Sequence, residues 1–312
     1  MRYLVKNKSI LLVGGTGYIG LELYRHWKAH NTICYTGRHS PPRATTEELE
    51  DYRYLDLGIK ESIQQVVQER VYDYIIFLAA KVQIDMQSNP ATLSKGDPLY
   101  DCNVGGVASF MEIAKETPSR IIYFSSMTVY DKETNSPVSE DSSLLPFHTY
   151  GQSKMLGEKK FAESLESSKA RGTIVRIPGI FGGNRKEGYI HQILEKLRHD
   201  DPIFLDVEGV VCWEAMYIYD LISMLEDWMG CYTWDSSSCE VFNLCYGEET
   251  DFVATAHFLK KLTDSNSTIS LSHNPTYGVF YMDNAKVSPY YSATRTYGYH
   301  SALRQYINDR LL

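Results

Sequence analysis

No apolar run in this 312-residue chain approaches the roughly 20 residues a bilayer span needs, so no membrane-spanning segment is expected. Basic residues are not in excess. Lys and Arg number 31 against 39 Asp and Glu, a net charge of −8. That argues against a general nucleic-acid binder, although a few local cations would suffice for an anionic ligand. The cysteines Cys34, Cys102, Cys212, Cys231, Cys239 and Cys245 show no CxxC or Cys/His ligand spacing. No metal site is expected from them, and they read as reduced thiols of a cytoplasmic protein. Residues 1–8 are charged and lead straight into an apolar segment, without the pattern of a signal peptide. Repeats, low-complexity tracts and flexible linkers are also missing. A chain of this length holds one large domain or two modest ones.

The apolar run Ile10-Leu11-Leu12-Val13 reads as a buried parallel strand. Gly14, Gly17 and Gly20 follow at three-residue spacing, and a helical pattern then continues to about His30. A chain leaving a strand in this way must turn sharply, let its backbone approach a ligand closely, and pack a helix tightly on the sheet. The helix N-terminus offers N–H groups and a positive dipole end to phosphates. A dinucleotide loop is therefore expected, with Thr16, Tyr18 and Ile19 among its residues.

Strands and helices then alternate. Residues 32–36 form a second strand followed by Gly37-Arg38-His39, with Arg43 further on. An acidic residue at this tip would favour NAD, whereas arginine accommodates the extra phosphate of NADP. Arg38 therefore favours NADP(H), with NAD(H) still possible. Residues 52–55 read as a third strand leading to Asp56-Leu57, a spot suited to contacting the adenine amino group. A helix over 59–70 precedes a fourth strand over 74–78, which ends in Ala79-Ala80-Lys81, where small residues let the backbone lie against a cofactor. A loop over 81–97, a helix to about residue 116 containing Asn103, and a strand over 120–125 complete the pattern. This predicts an α/β fold, a Rossmann-type doubly wound parallel sheet with ligands at the carboxyl ends of its strands.

Tyr150 and Lys154 lie four positions apart at the start of a helix running to about residue 168, which puts both on one face. An ammonium beside a phenol favours phenolate and lowers its pKa. Ser125 and Ser126, leaving the fifth strand, offer a hydroxyl to a reacting carbonyl.

Taken together, these pieces resemble the extended short-chain dehydrogenase/reductases, the NAD-dependent epimerase/dehydratase group. The matching segments are Gly14-x-x-Gly17-x-x-Gly20, Asp56-Leu57, Ala79-Ala80, Ser125-Ser126-Met127-Thr128-Val129-Tyr130 and Tyr150-Gly151-Gln152-Ser153-Lys154. Later ones are Arg176-Ile177-Pro178-Gly179, Tyr217-Ile218-Tyr219-Asp220 and Val241-Phe242-Asn243-Leu244. The resemblance implies Tyr150 as general acid/base, Lys154 on the nicotinamide ribose while lowering the tyrosine's pKa, and Ser126 polarising the carbonyl, with Thr128 nearby. Pro178 joins the implied cofactor-binding set. It also implies a dinucleotide domain over 1–177 and a smaller C-terminal substrate-binding region over 178–312, with about 215–245 returning to the Rossmann core. A homodimer is expected from the family, through helices near 101–116 and 149–168.

Departures from the family bear on the substrate. Trp213 stands where sugar-nucleotide epimerases hold a pyrophosphate-binding arginine, and Gly179 where a phosphate-binding asparagine is common. Met127-Thr128 replaces the Asp-Glu pair of the dehydratases, which argues against dehydration. Arg185 and His191 are candidate anion contacts, and the tyrosines between 277 and 299 are candidate pocket walls. Three readings follow: an NAD(P)-dependent oxidoreductase acting on a carbonyl/alcohol carbon, possibly of a 4-keto sugar nucleotide; an epimerase retaining NAD; or a dinucleotide-binding sensor without chemistry.

Overall fold

Strong apolar runs with amphipathic segments between them give the first structural unit its layers. The computed structural model describes residues 5–41, 44–83, 93–132, 134, 136–166, 168–206, 211–234, 239–272, 278–292 and 297–311, without the side chains of 211, 212, 278 and 311. Arg43, Tyr277 and residues 84–92 and 235–238 therefore lie outside the described residues. The chain divides into two units, one of 1–134, 140–177 and 226–242, the other of 135–139, 178–225 and 243–312.

In the first unit, β1 (Ser9–Val13), α1 (Tyr18–Trp27), β2 (Thr32–Gly37), α2 (Thr46–Glu50), β3 (Tyr52–Tyr54), α3 (Lys60–Gln68) and β4 (Tyr74–Phe77) lay down one half of the sheet. The helical segments α4 (Pro98–Tyr100) and α5 (Gly106–Ala114), then β5 (Arg120–Ser126), α6 (Thr149–Leu165) and β6 (Arg171–Ile177) lay down the other. Ile10 through Val13 and Ile75 and Ile76 are fully buried, as strands covered on both faces must be. Helix α2 forms from only five residues because Thr45 and Glu48 close a capping box around its first turn.

A last strand, β11 (Glu240–Asn243), joins β6, and the seven-stranded sheet has the order β11-β6-β5-β4-β1-β2-β3. The pairs from β3 through β6 are parallel. Strand order reverses between β1 and β4, and the crevice at the carboxyl ends of such a pair is where ligands bind in this architecture. Trp228, Tyr232, Trp234 and Phe242 pack on one another in the same unit. Trp234, in a turn after α8, is thus part of an aromatic cluster.

The second unit is built from short parallel pairs: β7 (Gly179–Phe181) with β10 (Ala215–Tyr217), β8 (Ile203–Leu205) with β12 (Ile269–Leu271), and β9 (Val211–Trp213) with β13 (Gly278–Phe280). Around them lie α7 (Tyr189–Arg198), α9 (Phe252–Thr263) and α10 (Tyr299–Leu311). Helix α8 (Ile218–Cys231) begins in this unit and ends in the first. Glu214 organises the second unit from its interior. Its fully buried carboxylate accepts the N–H groups of Tyr246 (2.8 Å), Gly247 (3.1 Å) and Met282 (3.1 Å). Burial pushes this carboxyl up to about 7, against the downward pull of the three amides. Among the described residues no helix is long and apolar enough to cross a membrane, and no group of three or more His, Cys, Asp or Glu side chains could hold a metal ion.

Candidate active site

The turn after β1 needs its glycines. Gly14 has φ +78°, and a Cβ there would lie 2.6 Å from the Cα of Ala79 at the end of β4. A Cβ on Gly20 would sit 2.5 Å from the Cα of Gly15, so this position is about seating α1 on the turn. At Gly17 a Cβ would meet only the Gly14 carbonyl, at 3.2 Å, so its backbone is open to a ligand. The Thr36 hydroxyl holds the turn by accepting from the Gly14 N–H at 3.2 Å and donating to the Leu12 carbonyl at 3.2 Å. No side chain caps α1, as expected where an anion is to occupy the helix end.

A cavity of about 520 Å³ opens over this turn, within the size range of ligand sites. Gly14, Thr16, Gly17, Arg38, Asp56, Leu57, Ala79, Ala80 and Lys81 all line it. Tyr18, Ile19 and Gly20 do not; they form the first turn of α1 beneath it. Arg38 is exposed on the cavity wall and no acidic side chain ends β2. Asp56 uses one carboxylate oxygen to accept the Gly58 N–H at 2.8 Å. The open glycine, the uncapped helix end and the cavity together fit a dinucleotide. Pro178 belongs to the second unit.

Sequence reasoning missed the far wall, where Pro98, Asp101 and Cys102 join the lining. They come with a π-turn over Asp101–Gly105 that turns Asn103 inward. Its buried amide accepts from the Lys81 N–H (2.7 Å) and donates to the Lys81 carbonyl (2.9 Å) and the Ser153 hydroxyl (2.8 Å). Ser153 in turn donates to the Tyr150 carbonyl at 2.7 Å. The end of β4 is thereby tied to the helix that carries Tyr150. The one available signal was a polar Asn inside the apolar stretch Cys102–Val104.

Ser126, Tyr150 and Lys154 come together at the end of β5 and the start of α6. Ser126 Oγ accepts from the Thr128 N–H (3.2 Å) and the Thr128 hydroxyl (3.0 Å), and the hydroxyl acts on the neighbouring Tyr150 phenol by drawing its pKa down. With its lone pairs taken by Thr128, the serine has its own proton to offer. Thr128 therefore orients Ser126. His148 caps α6 by accepting the Gly151 N–H on Nδ1 at 2.9 Å, and burial holds its pKa below the usual imidazole value.

Lys154 is almost fully buried. Its ammonium donates to the Phe124 carbonyl at 2.7 Å and lies 4.3 Å from the centre of the Tyr123 ring. Burial lowers its pKa from 10.5 to about 8, against the pull of the Glu158 carboxylate one turn on. Burial pushes the Tyr150 phenol up to about 12, and the Ser126 hydroxyl draws it down. The lysine's charge is directed to the carbonyl and ring beneath it. Behind the site, Arg176 makes a buried fork to Glu158 (3.0 and 2.8 Å) and donates to the Tyr130 hydroxyl at 2.9 Å.

The second unit has its own cavity of about 200 Å³, lined by Trp213, Arg185, Tyr189, Phe252 and Tyr299 among others. Trp213 packs on Phe280, with ring centres 4.9 Å apart. Arg185 donates to the Ile180 carbonyl at 2.9 Å. His191 is not part of this lining; its Nδ1 meets the Tyr306 hydroxyl at 3.2 Å, and burial lowers its pKa.

Comparison with known proteins places this geometry. The model of the RmlD substrate binding domain family matches residues 8–212, about two thirds of the chain. The chain belongs to this family. As an RmlD-type protein it also falls within the extended short-chain dehydrogenase/reductases. It is 26% identical over 251 residues to the dTDP-4-dehydro-6-deoxyglucose reductase of Escherichia coli, covering 78% of each chain. It is 22% identical over 179 residues to the UDP-glucose 4-epimerase of Lactobacillus helveticus, covering 56% of this chain and 53% of that one. It is 26% identical over 180 residues to the methionine adenosyltransferase 2 subunit beta of Mus musculus, covering 57% and 48%. The match thus spans about half the length of these last two relatives. The UDP-glucuronic acid 4-epimerase of Bacillus cereus, solved with UDP-glucuronic acid and NAD, shares the fold at a TM-score of 0.75 and 19% identity, covering 97% of this chain and 99% of that one.

Proposed function

We propose that this RmlD-type protein is an NADP(H)-dependent reductase of a carbonyl carbon, with a 4-keto nucleotide sugar as the working substrate class. Ser126, Tyr150 and Lys154 gathered at the end of β5 and the start of α6, in the unit that carries the dinucleotide cavity, are the observation that carries this reading. The cofactor would be held by the Gly14–Gly20 turn, Asp56, Ala79 and Arg38, and when bound it supplies the hydride. Tyr150 supplies the proton to the carbonyl oxygen. A phenol held near 12 is protonated at neutral pH, the state a reduction requires of its acid. Ser126 donates to the same oxygen as negative charge develops on it, while Thr128 and Asn103 hold the serine and the tyrosine's helix in place.

Retained-NAD epimerisation is the runner-up, since it needs the same residues. It also needs the tyrosine to act as a base with equal ease, which its raised pKa disfavours. A binding role without turnover is a third reading, favoured by the likeness to a methionine adenosyltransferase subunit. Among the described residues Cys34, Cys102, Cys231, Cys239 and Cys245 form no disulfide, which suits a cytoplasmic protein, and a homodimer remains the family expectation.

Arg38 gives the cofactor test. NADPH should bind more tightly than NADH by about tenfold or more, the worth of a charge-assisted contact. Arg38→Ala should remove that preference while leaving NADH affinity unchanged. Tighter binding of NADH to the unaltered protein would overturn the NADP(H) assignment.

A further inference from the structure

The first unit has a second cavity, of about 490 Å³, far from the dinucleotide turn. It lies at the amino ends of the central strands. Lys8 immediately precedes β1, Tyr74 opens β4 and Arg120 opens β5, and all three line it. The seven residues of β5 separate it from Ser126 by about 20 Å of extended chain. Neither the candidate active site nor the second unit's cavity shares any of its residues.

Its chemistry is unusual for this chain. Lys6, Lys8 and Arg120 converge on the lining without an acidic residue among them, in a protein whose net charge is −8. Among the described residues none of the three cations forms an ion pair. Tyr74, Tyr232 and Trp234 line it as well, beside Val5, Met229, Gly230 and Thr233. The Arg120 guanidinium lies 5.5 Å from the Tyr74 ring centre and 6.0 Å from that of Trp234, and donates to the Tyr74 hydroxyl at 3.3 Å. Most of its five N–H donors thus remain for a ligand, and the rings fix its direction. Trp234 stands edge-on to Tyr74 at 6.1 Å and to Tyr232 at 5.0 Å.

Unpaired cations facing a wall of rings match a ligand that joins a planar face to a strong anion. Phosphate oxygens take the forked guanidinium and the ammonium groups, and a heteroaromatic ring stacks on the aromatic side chains. Tyr74 is taken up by Arg120 and Tyr232 by Trp228, so the partly exposed Trp234 is the ring left to meet a planar ligand, and a bare ring would leave three cations without counter-charge. The geometry points to a second ligand site at the amino ends of the sheet, which takes a nucleotide: a planar base carrying one or more phosphates. Its position across the sheet from the reacting groups makes it a site for a ligand that is not consumed.

The test uses the full chain saturated with NADPH, so that the dinucleotide cavity is filled, and titrates ADP, adenosine and pyrophosphate by calorimetry. ADP is expected to bind with an affinity at least about tenfold above that of either fragment. Arg120→Met should weaken ADP by about tenfold or more, the worth of one charge-assisted contact, while NADPH affinity stays unchanged. Lys8→Met, at a partly exposed position whose loss does not threaten the core, should weaken ADP in the same direction and keeps the question open to refutation if Arg120→Met fails to fold. Three results would overturn the proposal: no ADP binding to the saturated protein, ADP binding that neither substitution alters, or pyrophosphate binding as tightly as ADP, which would mean an adventitious anion only.

Discussion

Replacing Arg176 with methionine should destabilise the first unit by about 3–5 kcal/mol, because it strands a buried carboxylate. Arg176 is 3% exposed and Glu158 is 5% exposed, and the two face each other in a two-pronged contact. Little water reaches Glu158 to replace the lost guanidinium. The bonds that the charged guanidinium donates to the Tyr130 hydroxyl and the Glu140 carbonyl are lost with it and are contained in that figure. Against a typical domain stability of about 5–15 kcal/mol, the cost is about a fifth or more. The double variant Arg176→Met with Glu158→Leu should recover most of the loss, since an apolar pair of similar volume removes both desolvation costs. Urea unfolding of the wild type, both single variants and the double variant completes the cycle. Glu158 also pulls the Lys154 pKa upward, so the double variant should fold well yet bind NADPH more weakly than wild type. A single Arg176→Met cost below about 1 kcal/mol, or a double variant as unstable as the sum of the singles, would refute the reasoning about this pair.

Two further outcomes follow from buried titrating groups. The Lys154 pKa falls from 10.5 to about 8 on folding, so the unfolded chain binds the proton more tightly between those values. The stability difference between wild type and Lys154→Met should therefore rise with pH from about 8 to about 10.5, by up to about 3 kcal/mol; a flat difference would mean that the ammonium is not desolvated. His148 caps α6 as a neutral acceptor with a lowered pKa. His148→Ala should cost about 1 kcal/mol at neutral pH. That cost should shrink as pH falls below 6.5, where the unfolded imidazole gains its proton first; a cost growing toward acid would contradict the cap.

Local geometry made the first half of the site readable. Gly14 answers a positive φ and a 2.6 Å approach to Ala79 that no other residue tolerates, and the four-residue spacing of Tyr150 and Lys154 is a property of any helix. Positions set by tertiary packing were not readable. The π-turn that brings Asn103 to Lys81 and Ser153 depends on where β4 ends relative to α6. His148 acts through a cap whose backbone geometry is not written in residue type. Four-residue spacing put Lys154 on the tyrosine's face of the helix, but the Phe124 carbonyl that its ammonium reaches could not be read from spacing. His191, equally plausible as an anion contact, faces Tyr306 on α10, a neighbour 115 residues away in sequence. The cation-and-ring cavity at Arg120 drew on residues from four separate segments, none with a motif of its own.

Reduction itself can be measured directly by following loss of NADPH in the presence of a 4-keto nucleotide sugar, with wild type and Tyr150→Phe side by side. Ser126 and the open dinucleotide cavity remain in the variant, so NADPH should bind both proteins equally. Turnover should be present in wild type and fall by at least about 100-fold in the variant, the worth of a positioned general acid. Equal turnover by the two proteins would contradict the assignment of Tyr150 as the proton donor on which the proposed reaction depends.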